Sequence, residues 1–170
     1  MITFFIVRTA SAVTLAMVVA LVPAVTAIGA PADPRDSTPI PAGTYVDPSF
    51  RQDEHAVVIG GGAMSDTRGN PCPDKAFTAI SGVWGTSVPG CNVIGTTPSA
   101  KVHYKWYRHA GTRGSTACVQ GLGYDSRHRA VWTAAGCGTG QTKTVPWGTV
   151  AATKRIKGLG IGGWAGLQWS

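Results

Sequence analysis

Apolar side chains along this chain recur at the spacing of strands far more than at the spacing of helices. Windows with apolar residues at i, i+3, i+4 and i+7 are scarce. Short runs rich in Val, Thr, Tyr, Trp and Ile recur instead, broken by Gly, Pro, Asn and Ser; this is the punctuation of strands and turns. The clearest run is KVHYKWY, residues 101–107. Strict alternation there predicts a half-buried strand, with Val102, Tyr104 and Trp106 facing the core and Lys101, His103 and Lys105 facing water. Further strands are predicted in HAVVIGG (55–61), VPWGTVAAT (145–153), KRIKGLGI (154–161) and WAGLQWS (164–170). Only CPDKAFTAIS (72–81) reads as a short helix. Short strands with frequent turns imply an all-β fold, a small sandwich or barrel of antiparallel strands.

The pattern changes character at the N-terminus. One charge, Arg8, precedes a long uncharged run that ends in small residues, and the next charge is Asp33. A basic start, an apolar middle and Ala-x-Ala-like sites describe a secretory signal peptide. Residues 1–32 are assigned to it, with cleavage after Ala27 or Ala32; Pro23 and the small residues argue against a retained membrane anchor. No later run is apolar enough to span a bilayer, which takes ~20 residues, so no stable span is expected after cleavage. Residues 33–52 carry Pro34, Pro39, Pro41 and Pro48 and read as a leader or extended arm, because proline resists helix and central strand alike. Residues 53–170 then form a single β-rich domain.

Export changes the reading of the cysteines. Eighteen residues separate Cys72 from Cys91, and eighteen again separate Cys118 from Cys137. In an exported chain these form two disulfides. Folding the second stretch about Arg127-His128 sets Cys118 opposite Cys137, Leu122 opposite Thr133, Tyr124 opposite Val131 and Gly123 opposite Trp132. Folding the first about Ser81-Gly82 sets Cys72 opposite Cys91 and Ile80 opposite Val83. Equal spacing is thus expected to reflect two hairpins of equal length, each stapled at its base, each bridge contributing about 3 kcal/mol.

The formal net charge is +7, and its distribution says more than its sum. Residues 99–170 hold ten Lys and Arg against one acid, Asp125. A basic exported surface suits an anionic polymer, a negatively charged surface or an acidic protein. The expected contact residues are Lys101, Lys105 and Arg108; Arg127, His128 and Arg129 at the hairpin tip; and Lys154, Arg155 and Lys157. Trp84 and Trp132 are expected to pack in the core or on a hairpin.

Candidate chemistry is thin. VVIGGGAMSD lacks the third glycine and the following βαβ unit of a dinucleotide site, so no dinucleotide and no other cofactor is expected. No His, Cys and Asp cluster has metal-ligand spacing. An acid–base pair drawn from His103, His109, Asp125 and His128 is the one catalytic arrangement available. The function expected is therefore non-catalytic: an exported binding or effector protein with an anionic extracellular or cell-surface target, a class that includes antimicrobial action. The alternative is a small secreted hydrolase cutting phosphodiesters by His/Asp acid–base chemistry. Convergence of two of those four residues in one cleft discriminates between them.

Overall fold

The computed structural model describes residues 38–52, 54–60, 72–109 and 114–170. The expected signal peptide and most of the GGGAMSD run lie outside them. The described residues form twelve strands and no helix: β1 (Tyr45–Val46), β2 (Ala56–Ile59), β3 (Lys75–Ala79), β4 (Gly85–Thr86), β5 (Asn92–Gly95), β6 (Lys101–Arg108), β7 (Thr116–Tyr124), β8 (Ala130–Gly138), β9 (Gly140–Pro146), β10 (Val150–Thr153), β11 (Ile156–Ile161) and β12 (Ala165–Trp169). The fold is all-β, and its strands divide into three four-stranded sheets, ordered β1-β10-β5-β2, β4-β11-β7-β8 and β3-β12-β6-β9. Most ladders are antiparallel; β1 with β10 and β2 with β5 are parallel.

One core serves all three sheets. It takes Val93, Val150 and Ala152 from the first, Val119, Leu122 and Ile156 from the second, and Tyr104, Trp106, Leu167 and Trp169 from the third. The alternation in β6 is as its sequence implies: Val102, Tyr104 and Trp106 are buried while Lys101 and Lys105 are exposed. Three of the buried rings keep their polar ends bonded, whereas Trp169 Nε1 has no partner among the described residues. The Tyr104 hydroxyl donates to the Leu122 carbonyl at 2.8 Å, Trp106 Nε1 to the Ala135 carbonyl at 3.0 Å and Trp147 Nε1 to the Val150 carbonyl at 2.8 Å. Left unmade, each would carry a desolvation cost of about 1–3 kcal/mol.

Glycine lets the second and third sheets approach. A Cβ on Gly121 of β7 would lie 2.6 Å from the Tyr104 ring, and one on Gly158 of β11 would lie 2.6 Å from the Phe77 ring. Aromatic side chains of the third sheet thus rest on bare backbone of the second, a use of strand glycine that no other residue can fill.

Both disulfides have the expected partners, Cys72–Cys91 and Cys118–Cys137. Their settings differ. Cys118 lies directly across from Cys137 in the β7–β8 hairpin. A bulge between Val119 and Gln120 then shifts the register by one, so that Leu122 faces Trp132, Gly123 faces Val131 and Tyr124 faces Ala130. The turn is accordingly longer than a two-residue centre at Arg127-His128. The space above Gly123 is taken by Val145 and Pro146, not by Trp132.

The Cys72–Cys91 stretch is not a hairpin. The segment read as a helix is strand β3, which pairs with β12, whereas β4 pairs with β11. Residues Ile80–Trp84 carry the chain from the third sheet to the second, touching β11 through a bridge between Ser81 and Gly160. Ile80 and Val83 are both exposed. Residues 38–52 run along the first sheet: β1 adds to the edge of β10, and Ile40 and Phe50 pack against Ala56, Ile94 and Ala151.

Candidate functional site

The β7–β8 turn is organised by its one acid. The Asp125 N–H donates to the Arg129 carbonyl at 3.0 Å and the His128 N–H to the Asp125 carbonyl at 2.9 Å. Asp125 Oδ1 accepts the backbone N–H groups of Arg127 and Arg129, each at 2.9 Å, and Oδ2 accepts Arg129 Nε at 2.8 Å. His128 takes a left-handed conformation, φ 59°. A three-residue loop closed by a left-handed residue is a standard hairpin solution, and an aspartate that caps its own turn favours it. The backbone N–H and guanidinium of Arg129 hold the carboxyl at about 2, below its usual value.

This geometry decides what the tip offers. Arg129 is tied to Asp125, while Arg127 is exposed. His128 is half-buried: its ring stacks on Tyr45 at 5.4 Å, and Nε2 lies 3.3 Å from Thr149 Oγ1. The tip is thereby clamped onto the arm that carries β1. Below it opens a cleft of about 400 Å³ lined by Tyr124, Asp125, His128, Val131, Pro146 and Thr149, among others.

Of the four acid–base candidates, Asp125 and His128 share this cleft. His103 sits on the outward face of β6 with Nδ1 3.2 Å from Thr144 Oγ1. His109 lies beyond the end of β6, beside Trp164 in a separate cleft of about 320 Å³. The shared cleft does not make a dyad, because the Asp125 oxygens are turned to the turn backbone and Arg129. The described residues hold no group of three or more His, Cys, Asp or Glu suited to a metal.

The expected basic residues are spread over three places. Lys101, His103 and Lys105 form one outward row on β6, which continues into Tyr107. By register, Thr142, Thr144 and Pro146 of β9 flank that row on one side, and Gln168 of β12 lies beside Tyr107 on the other. At the end of this row Asp74 Oδ2 accepts the Tyr107 hydroxyl at 3.1 Å. Arg108 is half-buried, its Nη1 donating to the Ser115 carbonyl at 2.5 Å. Arg155 and Lys157 are also half-buried, and Lys157 Nζ sits 4.4 Å from the centre of the Trp132 ring.

Lys154 does not belong to any surface. It is 2% exposed, its Nζ donates to the His103 carbonyl at 2.8 Å and it stands 4.8 Å from the centre of the Tyr104 ring. Burial pushes its pKa down to about 7. The run TKRIK reads as a charge cluster, but its first lysine sits in the short connection between β10 and β11 and continues the wholly buried run Val150–Thr153.

The sequence reading missed an apolar corner. Ile80, Val83, Trp84, Ile161 and Trp164 are all exposed, Ile80 and Trp164 each at 60%. Trp84 is therefore not a core residue; Trp106, Trp147 and Trp169 are. A signal was present: residues 76–100 and 158–170 contain no Asp, Glu, Lys or Arg. Comparison of the chain with family models, curated proteins and solved structures gives no match.

Proposed function

We propose that the protein is an exported, non-catalytic binding protein whose basic face engages an anionic extracellular or cell-surface target. The observation that carries this reading is the row Lys101, His103, Lys105 on one outward strand face, at whose end Asp74 accepts the Tyr107 hydroxyl. Parallel side chains on a strand present charge at fixed intervals, here every second residue, about 7 Å apart. A repeating anionic chain meets such a row at several points at once. The two disulfides suit an oxidising compartment, and the uncharged N-terminal run suits export. Phosphodiester hydrolysis has less support, since Asp125 is committed to its turn.

Retention on an immobilised sulfated polysaccharide tests the reading. The parent should elute at a salt concentration well above that of a neutral protein, because counterion release makes such binding salt-sensitive. Lys101→Glu/Lys105→Glu should elute at clearly lower salt with its thermal midpoint little changed, exposed substitutions moving stability by about 0.5 kcal/mol or less. Unretained parent protein, or a variant retained like the parent, sinks the reading. Mass spectrometry of secreted material should find an N-terminus near Ile28 or Asp33.

A further inference from the structure

The exposed apolar side chains come together because two connections cross between the same pair of sheets. Ile80–Trp84 leads from β3 to β4, and the turn after Ile161 leads from β11 back to β12. They run side by side. The Gly160 N–H donates to the Ile80 carbonyl at 3.0 Å. Ala165 pairs with Ala79, which places Trp164 next to Ile80 in the same register. Gly82, Gly162 and Gly163 all have positive φ, and a Cβ at Gly82 or Gly163 would meet nothing within 4 Å. Among the described residues, space is therefore open beside Gly82 and Gly163, while Gly162 lies against the Gly114 carbonyl.

We propose that this corner is a membrane-docking surface, in which Ile80, Val83, Trp84, Ile161 and Trp164 enter the headgroup region of an anionic lipid bilayer. Five large exposed apolar side chains on or beside two neighbouring connections make a cluster of the kind that marks an interaction site. Side chains carried on two turns can enter a fluid bilayer, which needs no matching surface, although Trp164 also edges the cleft beside His109. Tryptophan favours the membrane–water boundary, where its ring is apolar and its N–H stays wet. The charge selects the lipid. The turns carry no acid, and Lys157 and Arg108 lie on the strands behind them, at Thr86 and Leu167 in register. The chain without residues 1–32, which hold the single charge Arg8, is still strongly basic; this further favours an anionic leaflet, and it disfavours a second copy of the same basic chain on this patch. The proposal rests on the anionic-target reading for its choice of lipid, but it uses different residues.

Co-sedimentation with vesicles of phosphatidylcholine and phosphatidylglycerol, mixed at about seven to three, provides the test. The parent should partition onto mixed vesicles and much less onto pure phosphatidylcholine. Trp84→Ser/Trp164→Ser should reduce partition about tenfold or more, as should Ile80→Ser/Ile161→Ser, while both variants keep the parent's thermal midpoint and its retention on the sulfated matrix. If Lys101→Glu/Lys105→Glu leaves matrix retention unchanged while the corner variants lose the vesicles, the polymer face fails and the corner stands. Parent protein that ignores mixed vesicles overturns the proposal, and so do corner variants that bind like the parent. A parent dimer, abolished by the corner substitutions without any vesicle binding, assigns the patch to a second copy instead and equally overturns it.

Discussion

Lys154 donates its ammonium to the His103 carbonyl oxygen, 2.8 Å away, beneath the very strand whose other face carries the exposed lysines. One strand thus separates a buried amine from Lys101 and Lys105. Burial lowers the Lys154 pKa from 10.5 to about 7, so near pH 8 the folded chain holds it largely neutral while the unfolded chain keeps it charged.

The sign of the resulting pH dependence follows. Between about pH 7 and 10 the unfolded state binds the extra proton, so stability rises with pH, by up to about 1.4 kcal/mol per unit from this residue alone. Above pH 10 the trend should reverse, because buried Tyr104 and Tyr124 stay protonated in the fold but ionise when it opens. Thermal midpoints measured from pH 6 to 10 should climb for the parent. Lys154→Met should be more stable near pH 7 and much flatter across that window. A parent curve already flat there contradicts the buried-amine account.

Gly121→Ala should destabilise the fold by about 1–3 kcal/mol, since its methyl would press on the Tyr104 ring within a packed interior. Gly60→Ala is the control: among the described residues its nearest neighbour, Thr96 Oγ1, is 4.0 Å away, and a change within about 0.5 kcal/mol is expected. Denaturant melts of the two variants give the comparison.

The hairpin tip separates two arginines that look alike in sequence. Arg129→Glu should lower the thermal midpoint, because it sets a second carboxylate against Asp125. Arg127→Glu should not, as its side chain is exposed and the turn uses only its backbone N–H. Stability supplied by Asp125 should be present above about pH 4 and fade as pH falls towards 2, the lowered value of its carboxyl. Equal midpoints for the two variants count against the turn geometry.

Replacing Cys118 and Cys137 together by alanine should cost about 3 kcal/mol, the loop-closure value for a bridge of this span. Peptide mapping without reductant should recover Cys72–Cys91 and Cys118–Cys137 linkages. A cross-linked Cys72–Cys118 peptide refutes the topology.

Local patterns carried the sequence reading a long way. KVHYKWY declares its buried and wet faces by alternation alone, and the Cys118–Cys137 opposition is visible in the residues between. The Ala130–Gly138 strand shows where locality ends. Its bulge displaces every later pair by one, yet nothing in VWTAAGC announces an extra residue. The Cys72–Cys91 stretch misled for a different reason. Both its halves are strands, but each obtains its partner from residues more than sixty positions downstream, so a fold-back centred on Ser81-Gly82 satisfied the local pattern equally well. Lys154 illustrates a third limit. A neighbouring carbonyl and an aromatic ring make its burial tolerable, and neither adjoins it in sequence.

The place of β12 has a consequence for the order in which the molecule assembles. It lies between β3 and β6, and β11 likewise supplies the partner of β4. Strands made early in synthesis therefore wait with open edges until residues 156–169 arrive. β10, from residues 150–153, plays the same part for β1. The β2–β5, β6–β9 and β7–β8 ladders are the ones that can close from sequence already at hand. A chain of this design cannot complete any of its three sheets until β10, β11 and β12 have been made, so its final packing waits for nearly the whole of its synthesis.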